Sequence, residues 1–89
     1  MDNKEDFKKK KTKSLKELQK FISNRIAVLR KENNISAKKM SLDLGKSQNY
    51  ISDIENKKYF PSMNMFFRIC KFFKITPKDF FDGYQKQRK

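Results

Sequence analysis

Leu15, Leu18, Ile22, Ile26 and Leu29 recur three or four positions apart, the spacing that lines one face of an α-helix. Ser14-Leu15-Lys16-Glu17 has the form of a capping box, so the pattern predicts a helix from about Leu15 to Glu32. Asn33-Asn34 ends it, because Asn tolerates the left-handed conformation. Ser36 is placed to cap a short second helix, Ala37 to Leu44, with Met40 and Leu44 inward and Gly45 as its stop. Ser47 is expected to cap a third, Gln48 to Asn56, with Ile51 and Ile54 inward. Pro61-Ser62 opens a fourth, Met63 to Phe73. Thr76-Pro77 opens a fifth, with Thr76 as cap, Pro77 in the first turn, Asp79 at the positive end and Gly83 closing it.

No stretch alternates with the period of a strand, so the expected class is all-α, with five helices. The second and third helices are short and meet at one tight turn, Gly45-Lys46-Ser47, which is the helix-turn-helix arrangement. Residues 1–13 carry Lys8-Lys9-Lys10-Lys11 and Lys13 without apolar periodicity and read as a flexible basic arm. The expected organisation is that arm, a domain over 14–83 and a basic tail over 84–89.

Charge narrows the partners. Lys and Arg number 23 against 10 acids, a net charge of +13 in 89 residues. Self-repulsion on that scale opposes compaction, and a polyanionic partner accounts for it. Apolar runs are far shorter than the roughly 20 residues of a membrane span, so nothing is expected to cross a membrane. An anionic membrane surface is the competing polyanion; the expected partner is nucleic acid, with no membrane. The first residues lack the apolar core of a signal peptide, and the one cysteine, Cys70, has no disulfide mate. The expected location is therefore the cytoplasm.

The order of these pieces resembles the Xre/Cro, phage-repressor-like family of helix-turn-helix domains. The resemblance runs from Ile22 to Asp82. It rests on Ile22, Arg25, Ile26, Leu29 and Arg30, then Ile35-Ser36, then Met40-Ser41 with Leu44-Gly45. It continues through Ser47, Ile51-Ser52, Ile54-Glu55-Asn56 and Pro61-Ser62, and ends with Ile75-Thr76-Pro77 and Asp79-Phe80-Phe81. It implies a lambda-repressor-like five-helix domain whose third helix reads DNA. Three positions depart from the family pattern. Ala37 stands where Gln often reaches a phosphate, Lys46 where the turn is apolar, and Lys57 where Gly follows the third helix. A left-handed Lys57 would cost about 1–2 kcal/mol, so Asn56 is expected to take that conformation.

The third helix divides by face. Ile51 and Ile54 point inward; Gln48, Asn49, Ser52 and Asp53 point away, with Tyr50 at the edge. Gln and Asn match adenine N6 and N7 in the major groove, and Asp can accept from cytosine N4. The family places base contacts at the start of this helix. The expected base-contacting set is Gln48, Asn49, Ser52 and Asp53. The expected phosphate-contacting set is Lys38, Lys46, Tyr50, Asn56, Lys57 and Lys58, with the start of the second helix as a further phosphate site. The resemblance also implies a structural salt bridge between Arg30 and Glu55, and a close crossing of helices two and three at Ser41.

Catalysis is not expected. No His is present to activate a serine or bind a metal, and one Cys cannot make a zinc site. Gly45-Lys46-Ser47 lacks the earlier Gly of a phosphate-binding loop, since Met40 occupies that position. No cofactor and no metal are expected. On the fourth helix Phe66, Ile69, Cys70 and Phe73 take core positions. Met65, Phe67, Phe72 and, on the fifth helix, Phe81 then form a surplus that suits a homodimer interface on a palindromic operator. The function expected is that of a sequence-specific double-stranded DNA-binding regulator, a repressor, with no effector domain attached. The alternative is an antitoxin that represses its own operon while the aromatic surplus holds a protein partner.

Overall fold

A computed structural model describes the backbone of residues 4–84 and the side chains of residues 15–84. Residues 1–3 and 85–89, the latter most of the expected basic tail, lie outside the described residues. The described chain is all-helical: α1 Lys4–Glu32, α2 Ala37–Asp43, α3 Tyr50–Glu55, α4 Met63–Phe72 and α5 Pro77–Phe80.

Two boundaries correct the sequence reading. Helix α1 begins at Lys4, not near Leu15, so most of the expected arm is helical backbone and Ser14 lies inside a helix instead of capping one. Residues 4–14 contain neither Gly nor Pro, so nothing in their sequence breaks a helix. Helix α3 begins at Tyr50, so Gln48 and Asn49 belong to the turn before it and Ser47 is not its cap.

Local chemistry sets the remaining helix starts. The hydroxyls of Ser36, Ser62 and Thr76 accept the backbone N–H of Lys39, Met65 and Asp79, at 3.0, 3.1 and 3.0 Å. Asp79 returns a bond from the Thr76 N–H at 3.3 Å, which completes a capping box.

The first four helices end alike, with paired backbone bonds closing a Schellman motif. Its left-handed position is held by Asn34, Gly45, Lys57 and Lys74, with φ of 54°, 77°, 64° and 60°. Asn56 was expected to relieve Lys57 of this conformation, but it stays at φ −91°. The backbone bonds explain why. Lys57 N–H donates to Ile54 and Lys58 N–H to Asp53, both at 2.9 Å, a pattern that puts the positive φ on residue 57.

The core is one cluster. Ile22, Ile26 and Leu29 from α1 meet Met40 and Leu44, Tyr50, Ile51 and Ile54, and then Met65, Phe66, Ile69, Cys70 and Phe80. Leu18, Phe72, Phe73 and Phe81 pack partly buried around it, whereas Leu15 is exposed. Phe66 meets the Phe80 ring edge-on at 5.0 Å. Burial pushes the Cys70 thiol above its ordinary pKa, so it stays protonated and acts as a small apolar filler.

Candidate nucleic-acid interface

The α2–turn–α3 unit is held rigid by a few polar bonds. Ser41 is fully buried at the crossing of the two helices. Its hydroxyl donates to the Ala37 carbonyl at 2.7 Å and accepts the Ile51 N–H at 2.9 Å. The N-cap of α3, Asn49, makes no side-chain capping bond, so α2 supplies one of the acceptors that the first turn of α3 lacks. A close crossing there was expected; the capping role is an addition. Gly45, at φ 77°, turns the chain between the helices.

Helix α1 fixes α3 from behind. The Arg30 guanidinium straddles the Glu55 carboxylate at 2.8 and 3.1 Å and also donates to the Ile35 carbonyl at 3.0 Å. The hydrogen bonds that Arg30 donates to Glu55 raise its pKa further, against a smaller opposing effect of burial. Ser23, buried, donates to the Ile54 carbonyl at 2.8 Å, and Gln19 to the Lys57 carbonyl at 3.4 Å. The side chains of two more arginines reach carbonyls at the C-terminal ends of other helices. Arg25 donates to the carbonyls of Phe80 and Asp79 at 2.9 and 3.0 Å, and Arg68 to that of Leu44 at 2.9 Å. Sequence reasoning missed the roles of Ser23, Gln19, Arg25 and Arg68, because a side chain's bond to a distant carbonyl leaves no local spacing signal.

What remains outward is a polar and basic surface. Gln48 and Asn49 are exposed together at the leading edge of α3. Lys38 lies on α2 to one side, Lys46 in the turn, and Asn56, Lys57 and Lys58 follow α3 on the other side; all are exposed. Ser52 and Asp53 are half-buried. Ser52 donates to the Asn49 carbonyl at 3.1 Å, and Asp53 lies 3.6 Å from the Lys58 ammonium. Asp53 thus offsets one of the basic charges beside it.

Tyr50 corrects the sequence reading. The pattern of α3 puts it at the edge among phosphate contacts, but only 8% of it is exposed and it belongs to the core cluster. The Lys46 ammonium sits 5.0 Å over its ring, and Tyr59 packs 6.0 Å away. Burial, with the neighbouring Tyr59, pushes its phenol above the ordinary pKa. An aromatic residue at this point of α3 faces inward because it follows the turn by one position and shares the inner side with Ile51 and Ile54.

Met65 is a second correction. The pattern of α4 leaves it in the apolar surplus, yet it is 6% exposed and packs in the core. Phe72 and Phe81 are half-buried, with the Phe81 ring stacked 5.8 Å from Phe21. The long α1 supplies Phe21 as cover for α5, which the pattern of α4 and α5 alone does not reveal. Of the four residues expected at an interface, Phe67 alone is largely exposed, at 52%.

No helix among the described residues is long and apolar enough to cross a membrane. No cluster of His, Cys, Asp or Glu among them could hold a metal ion. The architecture is therefore a small helical domain built around a helix-turn-helix with a basic outer face. The family profile of the helix-turn-helix domain matches residues 23–86, and the chain belongs to that family. No curated protein and no solved structure matches the chain. Membership makes DNA the partner this type of domain implies, and a regulator the kind of protein.

Proposed function

We propose that the chain is an Xre/Cro-type repressor that reads double-stranded DNA by setting α3 and the turn before it in the major groove. The observation that carries this is the joint exposure of Gln48 and Asn49 on an element whose position Ser41, Ser23 and Arg30 fix from behind. Amide side chains on a rigid edge can present a donor and an acceptor to adenine at a defined register. Exposed Lys38 and Lys46 on one side, and Asn56 with Lys57 and Lys58 on the other, suit the two phosphate walls of a groove. Ser52 and Asp53 take a lesser part, because each already bonds within the protein.

The reading includes a two-fold dimer on a palindrome, since one domain spans only a few base pairs. Its contact centres on Phe67, with Met63 one turn earlier on α4 and also exposed. Repression follows from occupying a promoter site. Selection of bound sequences from random duplexes tests the whole reading. The expected result is a symmetric site with half-sites about one helical turn apart, roughly 34 Å. Gln48→Ala or Asn49→Ala should then lose about 1–3 kcal/mol on that site and much less on random DNA. Equal losses on both would remove base readout from these residues.

A further inference from the structure

The basic surface does not stop at the helix-turn-helix. Ser23 and Gln19 step toward the N-terminus along one face of α1 while their acceptors, Ile54 and Lys57, step out past the end of α3. Continuing that step by one more turn brings Lys16 to the position beyond Lys57, and Lys20 stands one turn from Lys16 at i+4. Both are exposed. Among the described residues, Lys16, Lys20 and Lys57 take part in no salt bridge, whereas Lys58 is paired with Asp53. Lys57 also keeps its side chain at a left-handed position that glycine would fill without strain. Lys57 is thus an exposed basic side chain whose own carbonyl ties it to a second basic element, α1.

We propose that Lys16 and Lys20 form, with Lys57, a ridge that binds DNA phosphates flanking the recognition site on the side of the α3 C-terminus. The proposal rests on the DNA-binding function above and extends its footprint along the duplex. Helix α1 makes the ridge rigid. Lys16 and Lys20 lie about 6 Å apart along the axis, at about 1.5 Å per residue, so both can meet one strand near successive phosphates.

The test is the full chain titrated against a fluorescein-labelled duplex of 30 base pairs and mixed sequence, followed by anisotropy from low to moderate salt. Gln is a good helix former, so Lys16→Gln/Lys20→Gln leaves α1 intact, which circular dichroism checks. The control is Lys74→Gln/Lys78→Gln, with the same charge change after α4 and in α5. Arg25 ties that end of the domain to a different face of α1 from the one that meets α3. Each lost phosphate contact lowers the slope of log affinity against log salt by about 0.9. The ridge variant should therefore lose about 1.8 from its slope per bound chain, about 3.6 for the dimer, and bind roughly tenfold or more weakly at 0.1 M salt, with the control nearly unchanged. Equal effects of the two variants would overturn the ridge while leaving DNA binding in place. Failure of the wild type to bind the duplex would overturn the underlying function.

Discussion

Removing the Glu55 carboxylate breaks an ion pair that joins α1 to α3. Arg30 makes three hydrogen bonds, two of them to Glu55, and the side chains are 16% and 15% exposed. Glu55→Ala leaves the guanidinium with the Ile35 carbonyl alone in a largely dry site. Breaking a buried pair costs about 3–5 kcal/mol, and an exposed pair contributes only about 0–1 kcal/mol. Partial access for water discounts the buried figure, which gives about 2–3 kcal/mol here. At about 0.05–0.15 kcal/mol per residue, a domain of this size holds on the order of 5 kcal/mol in all. The substitution should therefore lower the melting temperature by about 10–20 °C, at about 4–8 °C per kcal/mol. Thermal and urea unfolding followed by far-ultraviolet circular dichroism measures it. Arg30→Met/Glu55→Leu removes both charges and should recover much of the loss, since no charge is then stranded. A coupling energy below about 0.5 kcal/mol in the completed cycle would refute the reasoning.

Lys57→Gly and Lys74→Gly should each stabilise the fold by about 0.5–1 kcal/mol, because relief of a positive φ outweighs the added unfolded-state entropy. Lys57→Gly should also weaken DNA binding and Lys74→Gly should not; two equal binding curves would take Lys57 out of the phosphate surface. Ser41→Ala strands the Ile51 N–H and should cost about 1–3 kcal/mol by urea unfolding, with a loss under about 0.5 kcal/mol counting against the capping role. Phe67→Lys should leave stability nearly unchanged and yield a monomer by sedimentation, whereas Met65→Lys should unfold the domain. A Phe67→Lys protein that sediments like the wild type would remove Phe67 from the dimer contact.

The amino-acid sequence determined most of the helices and their caps. Ser36, Ser62 and Thr76 act on backbone groups three residues away, so their effect is written in adjacent letters. The inward positions of Ile22, Ile26, Met40, Ile51, Ile54 and Ile69 follow from helical period alone. Gly45 and Asn34 announce their left-handed turns because their side chains permit them. Lys57 and Lys74 announce nothing, since lysine has no preference for that conformation and the Schellman bonds impose it. The start of α3 is hidden from the sequence for a related reason. Ser47 looks like a cap, but the acceptor for the Ile51 N–H comes from Ser41 on another helix, ten residues back. Tertiary contact also decided which apolar residues are left over. A surplus on α4 and α5 can be counted only after the partners of each ring are known, and those partners come from elsewhere in the chain. Phe21 on α1 covers Phe81, the core takes Met65 and Tyr50, and Phe67 is left outside. Local signals act over three or four residues and survive in sequence, whereas burial is a property of the whole packed domain.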